Sequence, residues 1–209
     1  ARNAGLKQYR PTRDLLHVSG LLLTGDTLDV FVCHLPSRSG GAKESEPYRL
    51  YAAHILRMEV DSIMSIRSLP QVIIMGDFND YPTNQSIQKI LEAEAPPVTT
   101  NDLASTTGST NFSTVAPSSL KLYHLLARKA KSKDFGSYKY RGEWGLLDHL
   151  IVSGTLLNQS NHFFTSEEKA NVCLLPFLLK DDEKYGDKEP FRTYKGMKYQ
   201  GGISKKGRR

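Results

Sequence analysis

The chain has 209 residues, 39% of them hydrophobic and 24% charged, a size and balance that suit one globular domain or a large part of one. Its apolar runs, such as residues 21–23 and 72–75, fall far short of the roughly 18 residues a spanning helix needs, so no membrane span is expected. The 28 basic and 22 acidic residues leave a net charge of +6, but Lys205, Lys206, Arg208 and Arg209 carry four of those charges. The rest of the chain is close to neutral, and charge alone is weak support for a polyanionic partner.

Residues 15–24 and 28–35 are apolar-rich runs separated by Gly25-Asp26-Thr27, a hairpin signal that sets two strands side by side. The second run ends at His34 and is followed by Pro36-Ser37-Arg38-Ser39-Gly40-Gly41, a turn whose glycines allow close backbone approach. A long helix is expected next, capped by Ser45, tolerating Pro47 in its first turn and stopping before Pro70. Ala52, Leu56, Val60, Ile63 and Ile66 recur at helical spacing and form its core face, leaving Arg49, Arg57, Asp61 and Arg67 solvated.

The run Val72-Ile73-Ile74-Met75 reads as a strand buried on both faces, with a loop from Asp77 to Pro82 and a second helix over residues 84–93. Residues 96–119 hold 11 Ser or Thr in 24, a long stretch without regular structure and of the kind that is usually functional. Strands are then expected over residues 137–144 and 147–152, joined by a tight Trp144-Gly145 turn, before a mixed region containing residues 172–179. Alternating strand and helix signals around buried runs predict a layered α/β or α+β architecture. Cys33 and Cys173 are too few for a disulfide framework or a four-ligand zinc site, and each reads as a small buried apolar residue.

Three predicted strand ends deliver polar groups. One run finishes in His34, a second passes through Gly76-Asp77-Phe78-Asn79-Asp80, and a third begins with Asp148-His149. Imidazole, amide and carboxylates together suit hydrolysis of a phosphate ester, which needs a group to deprotonate water, donors for the phosphoryl oxygens and usually a divalent cation. Arg38, beside Gly40-Gly41, is a candidate substrate-binding fork for a phosphate. His149 alternates to the opposite face from Asp148 and reads as structural. His17, His54, His124 and His162 show no metal-site spacing, and Trp144 reads as a packed strand residue.

On the residues His34-Leu35-Pro36-Ser37-Arg38, Ile74-Met75-Gly76-Asp77-Phe78-Asn79 and Leu147-Asp148-His149-Leu150-Ile151-Val152, the sequence resembles the endonuclease/exonuclease/phosphatase superfamily, in particular a bacterial branch. The resemblance runs over about residues 10–204. It implies a four-layer α/β sandwich, two mixed sheets face to face with helices outside, and a nuclease or phosphatase activity dependent on Mg2+ or Mn2+. It also implies roles: His34 contacts the scissile phosphate, Asp77 orients or deprotonates water, Asn79 positions that water, and Asp148 orients a histidine of a closing Ser-Asp-His motif. Asp77 and Asn79 are the candidate metal ligands.

The sequence departs from the family pattern at both ends. Gly201-Gly202-Ile203-Ser204 is followed by Lys205 and Lys206 where Asp and His are expected, and the family's early Asn and Glu would fall before Leu6. The expectation is therefore a partial family domain over residues 1–204 with a basic tail, 205–209, and an impaired catalyst. The substrate, DNA, RNA, lipid or a small phosphate ester, stays open at this stage, as do localisation and oligomeric state. An alternative is a non-catalytic nucleic-acid-binding module, because residues 121–141 interleave seven Lys or Arg with Tyr123, Phe135, Tyr138 and Tyr140.

Overall fold

A computed structural model describes residues 12–98 and 117–191, together with the backbone of 194–195 and 198–199. The expectations placed on residues 201–206, on the start of the chain and on most of the Ser/Thr-rich stretch lie outside the described residues.

The predicted hairpin forms as β1 (Leu16–Leu21) and β2 (Thr27–His34), antiparallel, with Gly25 at φ 87° in the connecting turn. A helix, α1 (Ala42–Ile66), carries the chain to β3 (Gln71–Asp77), which pairs parallel with β2 as such a crossover permits. Strand β4 (Leu122–His124) and strand β7 (Asp148–Ser153) complete a five-stranded mixed sheet in the order β1-β2-β3-β7-β4. Three two-stranded ribbons accompany it: β5 (Tyr138–Tyr140) with β6 (Glu143–Gly145), β8 (Leu179–Asp181) with β9 (Lys188–Pro190), and β10 (Tyr194–Lys195) with β11 (Lys198–Tyr199).

The architecture is mixed α/β, with one large sheet and one long helix among the described residues. Alternation along the strands decides its two faces. Phe31, Cys33, Val72, Ile74 and Ile151 point to the helix side and pack with Ala53, Leu56, Val60 and Met64 of α1. On the other side, Ile73, Leu150 and Val152 meet Leu125, Leu126, Leu146 and Ala170, whereas Leu16 and Val18 near the β1 edge are about half exposed. No helix among the described residues is long and apolar enough to cross a membrane.

Several local expectations need correction. Helix α1 starts at Ala42, and Ser45, inside it, donates its hydroxyl back to the Gly41 carbonyl at 2.6 Å instead of capping the helix. Its buried stripe is Ser45, Arg49, Ala53, Leu56, Val60 and Met64, so the core face is rotated from the one expected, and Ile66 is exposed. Arg49 lies on that stripe at 2% exposure, not in solvent. The second helix shrinks to one wide turn, Ser86–Ile90. The hairpin turn falls at Arg141-Gly142, both at positive φ, not at Trp144-Gly145, which lies within β6 and its exit. Cys33 is buried, and burial pushes its thiol up to about 12, but Cys173 is exposed.

Candidate active site

Sheet register brings the three predicted strand ends together. His34 is the parallel partner of Asp77 across β2 and β3, and Asp77 is the antiparallel partner of Asp148 across β3 and β7. Their parity matches that of Val32, Met75 and Leu150, which puts the row on the sheet face opposite α1, at the rim of the exposed apolar surface. His34 Nε2 lies 3.5 Å from Asp77 Oδ2, the two side chains being 45% and 35% exposed, so the row is open to a ligand from solvent.

The loop that presents Asp77 follows from its residue types. Gly76 has φ 130°, and a Cβ there would sit 2.0 Å from the Cys33 carbonyl oxygen, so only glycine lets β3 lie this close to β2. Asp77 Oδ1 then accepts the backbone N–H of Asn79 at 2.8 Å, a turn that a short carboxylate favours. Asn79 sits at φ 50°, a conformation asparagine tolerates, and its Nδ2 donates to the Leu35 carbonyl at 3.0 Å. The loop is further pinned by Leu35 N–H to the Asp77 carbonyl and Phe78 N–H to the Leu147 carbonyl, both 2.9 Å.

Asp77 is held above the ordinary carboxylate range. Burial is the main cause and the Asp148 charge adds to it, against the Asn79 N–H, His34 and Arg13, which pull it back. Asp148 accepts the Ser137 hydroxyl at 2.5 Å and returns its own N–H to Ser137 Oγ at 3.3 Å. No group of three His, Cys, Asp or Glu side chains suited to a metal occurs among the described residues. Asp77 and Asn79 offer a carboxylate and an amide oxygen, hard ligands of the kind Mg2+ uses when it takes one or two carboxylates and completes its shell with water and phosphate oxygens.

Arg38 stands beside the row with its guanidinium engaged by protein. Nε donates to the Asn79 carbonyl at 2.6 Å, Nη2 to Asp80 Oδ1 at 3.3 Å and to Asn84 Oδ1 at 3.1 Å, and the group stacks 4.6 Å over the Tyr81 ring. His34 lines a hollow of about 380 Å³ with Arg13, Leu35 and Tyr51. A larger cavity of about 780 Å³ lies on the other flank of the loop, between Tyr81, Trp144, Leu146, Lys121, Lys131 and Glu94.

Sequence reasoning missed the groups behind the loop. Asp80, 2% exposed in its side chain, accepts Arg49 Nε at 2.8 Å on Oδ1 and the Ser86 hydroxyl at 2.7 Å on Oδ2. Arg49 spends its other nitrogens on Ser45 Oγ at 2.7 Å and the Ala42 carbonyl at 2.8 Å. His149, on the helix side of β7, donates Nε2–H to the Asp80 carbonyl at 2.9 Å and takes His124 Nε2–H on Nδ1 at 2.5 Å, while His124 Nδ1 accepts the Leu126 N–H at 3.1 Å. Burial pushes both rings down, His124 to about 3 and His149 to about 4, so both are neutral at pH 7. A signal for Arg49 existed in its helical phase with Ala53, Leu56 and Val60.

Several cations of the basic segment pair with other parts of the chain. Lys139 is buried against Asp182 at 3.1 Å, Arg128 pairs with Glu167, Lys129 is held by the Glu167 and Ala170 carbonyls and Asn171, and Lys121 meets Glu94 at 3.0 Å. Three of its seven cations are thus engaged within the fold and a fourth, Lys121, in an exposed surface pair, which weakens the support for the binding-module alternative.

The profile of the Endonuclease/Exonuclease/phosphatase family matches residues 4–207. No curated protein matches in sequence. Among solved structures, the chain is similar to the human Nocturnin catalytic domain with bound sulfate anion, at 18% identity and TM-score 0.34, over 63% of this chain and 37% of that one. It is also similar to truncated Caenorhabditis elegans TDP2, at 15% identity and TM-score 0.38, over 67% of this chain and 46% of that one. The chain therefore spans less than half the length of either structure. A family match over nearly its whole length, with the Gly-Asp-Phe-Asn loop at the sheet rim, means that the chain belongs to the endonuclease/exonuclease/phosphatase family.

Proposed function

We propose that the chain is a phosphate-ester hydrolase, phosphodiester or phosphomonoester, dependent on Mg2+ or Mn2+ and impaired by its departures from the family pattern at Lys205 and Lys206. The observation that carries this reading is the row His34, Asp77, Asp148, three groups from strands far apart in sequence that become register neighbours on one face. Asp77, raised by burial, takes a proton from the attacking water or orients it. His34, beside it, donates to a phosphoryl oxygen, and Asn79 helps hold water and phosphate in line. Asp148, fixed by Ser137, sets its negative charge beside Asp77 in the row.

Asp77 with Asn79 would hold the divalent cation, which would supply Lewis-acid stabilisation of the phosphoryl oxygens. Arg38 we assign to holding the Asn79–Asn84 loop, since its Nε and Nη2 already serve that loop. The test is cleavage of bis(p-nitrophenyl) phosphate and p-nitrophenyl phosphate by the full chain in Mg2+ or Mn2+, beside Asp77→Ala and His34→Ala. Metal-dependent turnover that falls in both variants supports the proposal; equal rates in all three, or no turnover with either ester and either metal, reject it.

A further inference from the structure

The part of the loop that faces the ligand is held from behind through one residue. Asp80 carries no role in the hydrolysis above, and its side chain is buried away from the row, yet it has contacts to four separate parts of the fold. Its Oδ1 receives Arg49 of α1 and, from the β2 side, Arg38; its Oδ2 receives Ser86 from the turn that follows the loop. Its carbonyl receives His149 of β7, itself backed by His124 of β4. Removing freedom from a reacting group in this way matters because a misplacement of about 1 Å costs roughly 10²-fold in rate.

From these contacts we infer that Asp80 is a positioning residue: gripped by α1, the Ser86 turn and the His124–His149 pair, it fixes the turn in which Asp77 and Asn79 are presented. The turn's own bond, Asn79 N–H to Asp77 Oδ1, is local, so how the turn sits against β3 and α1 depends on the contacts behind it. The Arg49 side of the grip is dry, with both partners 2% exposed, so it is not traded easily for water. The Arg38 side is 28% exposed and adds a direct hold on the Asn79 carbonyl.

The kinetic consequence rests on the hydrolase reading; the structural consequence does not. In Asp80→Asn the neutral amide keeps the shape and weakens the grip. Hydrogen exchange should then quicken by roughly tenfold or more at the amides of Leu35, Phe78 and Asn79, while Val72, whose N–H is held by Ser153 at 3.0 Å at the far end of β3, keeps its protection. At equal folded concentration, kcat on bis(p-nitrophenyl) phosphate should fall about tenfold or more with KM within about twofold. Unchanged exchange at the three loop amides overturns the inference. Loss of Val72 protection moves the test to Arg38→Gln, for which quickening confined to the same amides is expected and its absence overturns the inference. If Asp77→Ala cleaves as well as the native chain, the hydrolase reading fails, and the exchange pattern still decides the role of Asp80.

Discussion

Arg49 Nε donates to Asp80 Oδ1 at 2.8 Å with both side chains 2% exposed, so the long helix and the candidate catalytic loop share a buried ion pair across 31 positions of sequence. Such a pair adds little net stability over an apolar substitute for both partners, but removing one partner strands a charge. Arg49→Met should lower the unfolding free energy by roughly 3–5 kcal/mol. Urea denaturation checks this: the midpoint should drop, and a loss below about 1 kcal/mol would mean that Arg38 and Ser86 suffice to hold Asp80.

Asp77 illustrates a stability cost at a functional position. Burial and the Asp148 charge both disfavour its ionised form, so Asp77→Asn relieves repulsion inside the fold. The variant should be no less stable than the native chain in a thermal melt, while phosphodiester cleavage falls by about 10²–10⁴-fold. A variant that lost stability and activity together would reassign Asp77 to structure.

Gly76 is the position where β3 approaches β2 too closely for a side chain. Gly76→Ala places a methyl 2.0 Å from the Cys33 carbonyl oxygen in a backbone conformation alanine avoids. A destabilisation on the order of 3 kcal/mol is expected from strain and overpacking together, measured by denaturant titration.

The two buried histidines set an acid limit. Their folded values, about 3 for His124 and about 4 for His149, lie below the ordinary 6.5, so the unfolded chain binds protons first as pH falls. Their contribution is intact above about pH 6.5 and shrinks on acidification towards pH 4. With both groups neutral when folded and protonated when unfolded, the slope near pH 5 approaches roughly 3 kcal/mol per pH unit. His124→Phe removes one of them and should halve that slope in urea titrations at pH 7, 6 and 5, from a lower starting stability; an unchanged slope would show that other groups set the acid limit.

The hairpin around Gly25, the strand at Val72-Ile73-Ile74-Met75, though fully buried only on its helix side with Met75 37% exposed, and the polar strand ends at His34, Asp77 and Asp148 were legible because their signals are local: period, turn residues and a short motif. The core face of α1 was misread by part of a turn, and Arg49 with it, because a charged residue in phase with an apolar stripe makes sense only once Asp80 is found opposite. Trp144-Gly145 looked like a turn for the same kind of reason: Arg141-Gly142 takes that place once Tyr138–Tyr140 pairs with Glu143–Gly145.

By itself, then, the order of residues determined which side chains stand at strand ends and that their chemistry suits phosphate. Tertiary structure alone decided that His34, Asp77 and Asp148 lie abreast, that His124 backs His149, and that Lys139 is buried with Asp182 rather than offered to a polyanion. The physical reason is range: turn and strand preferences act over a few neighbouring residues, whereas register and buried pairing join positions tens of residues apart through packing that no local pattern encodes.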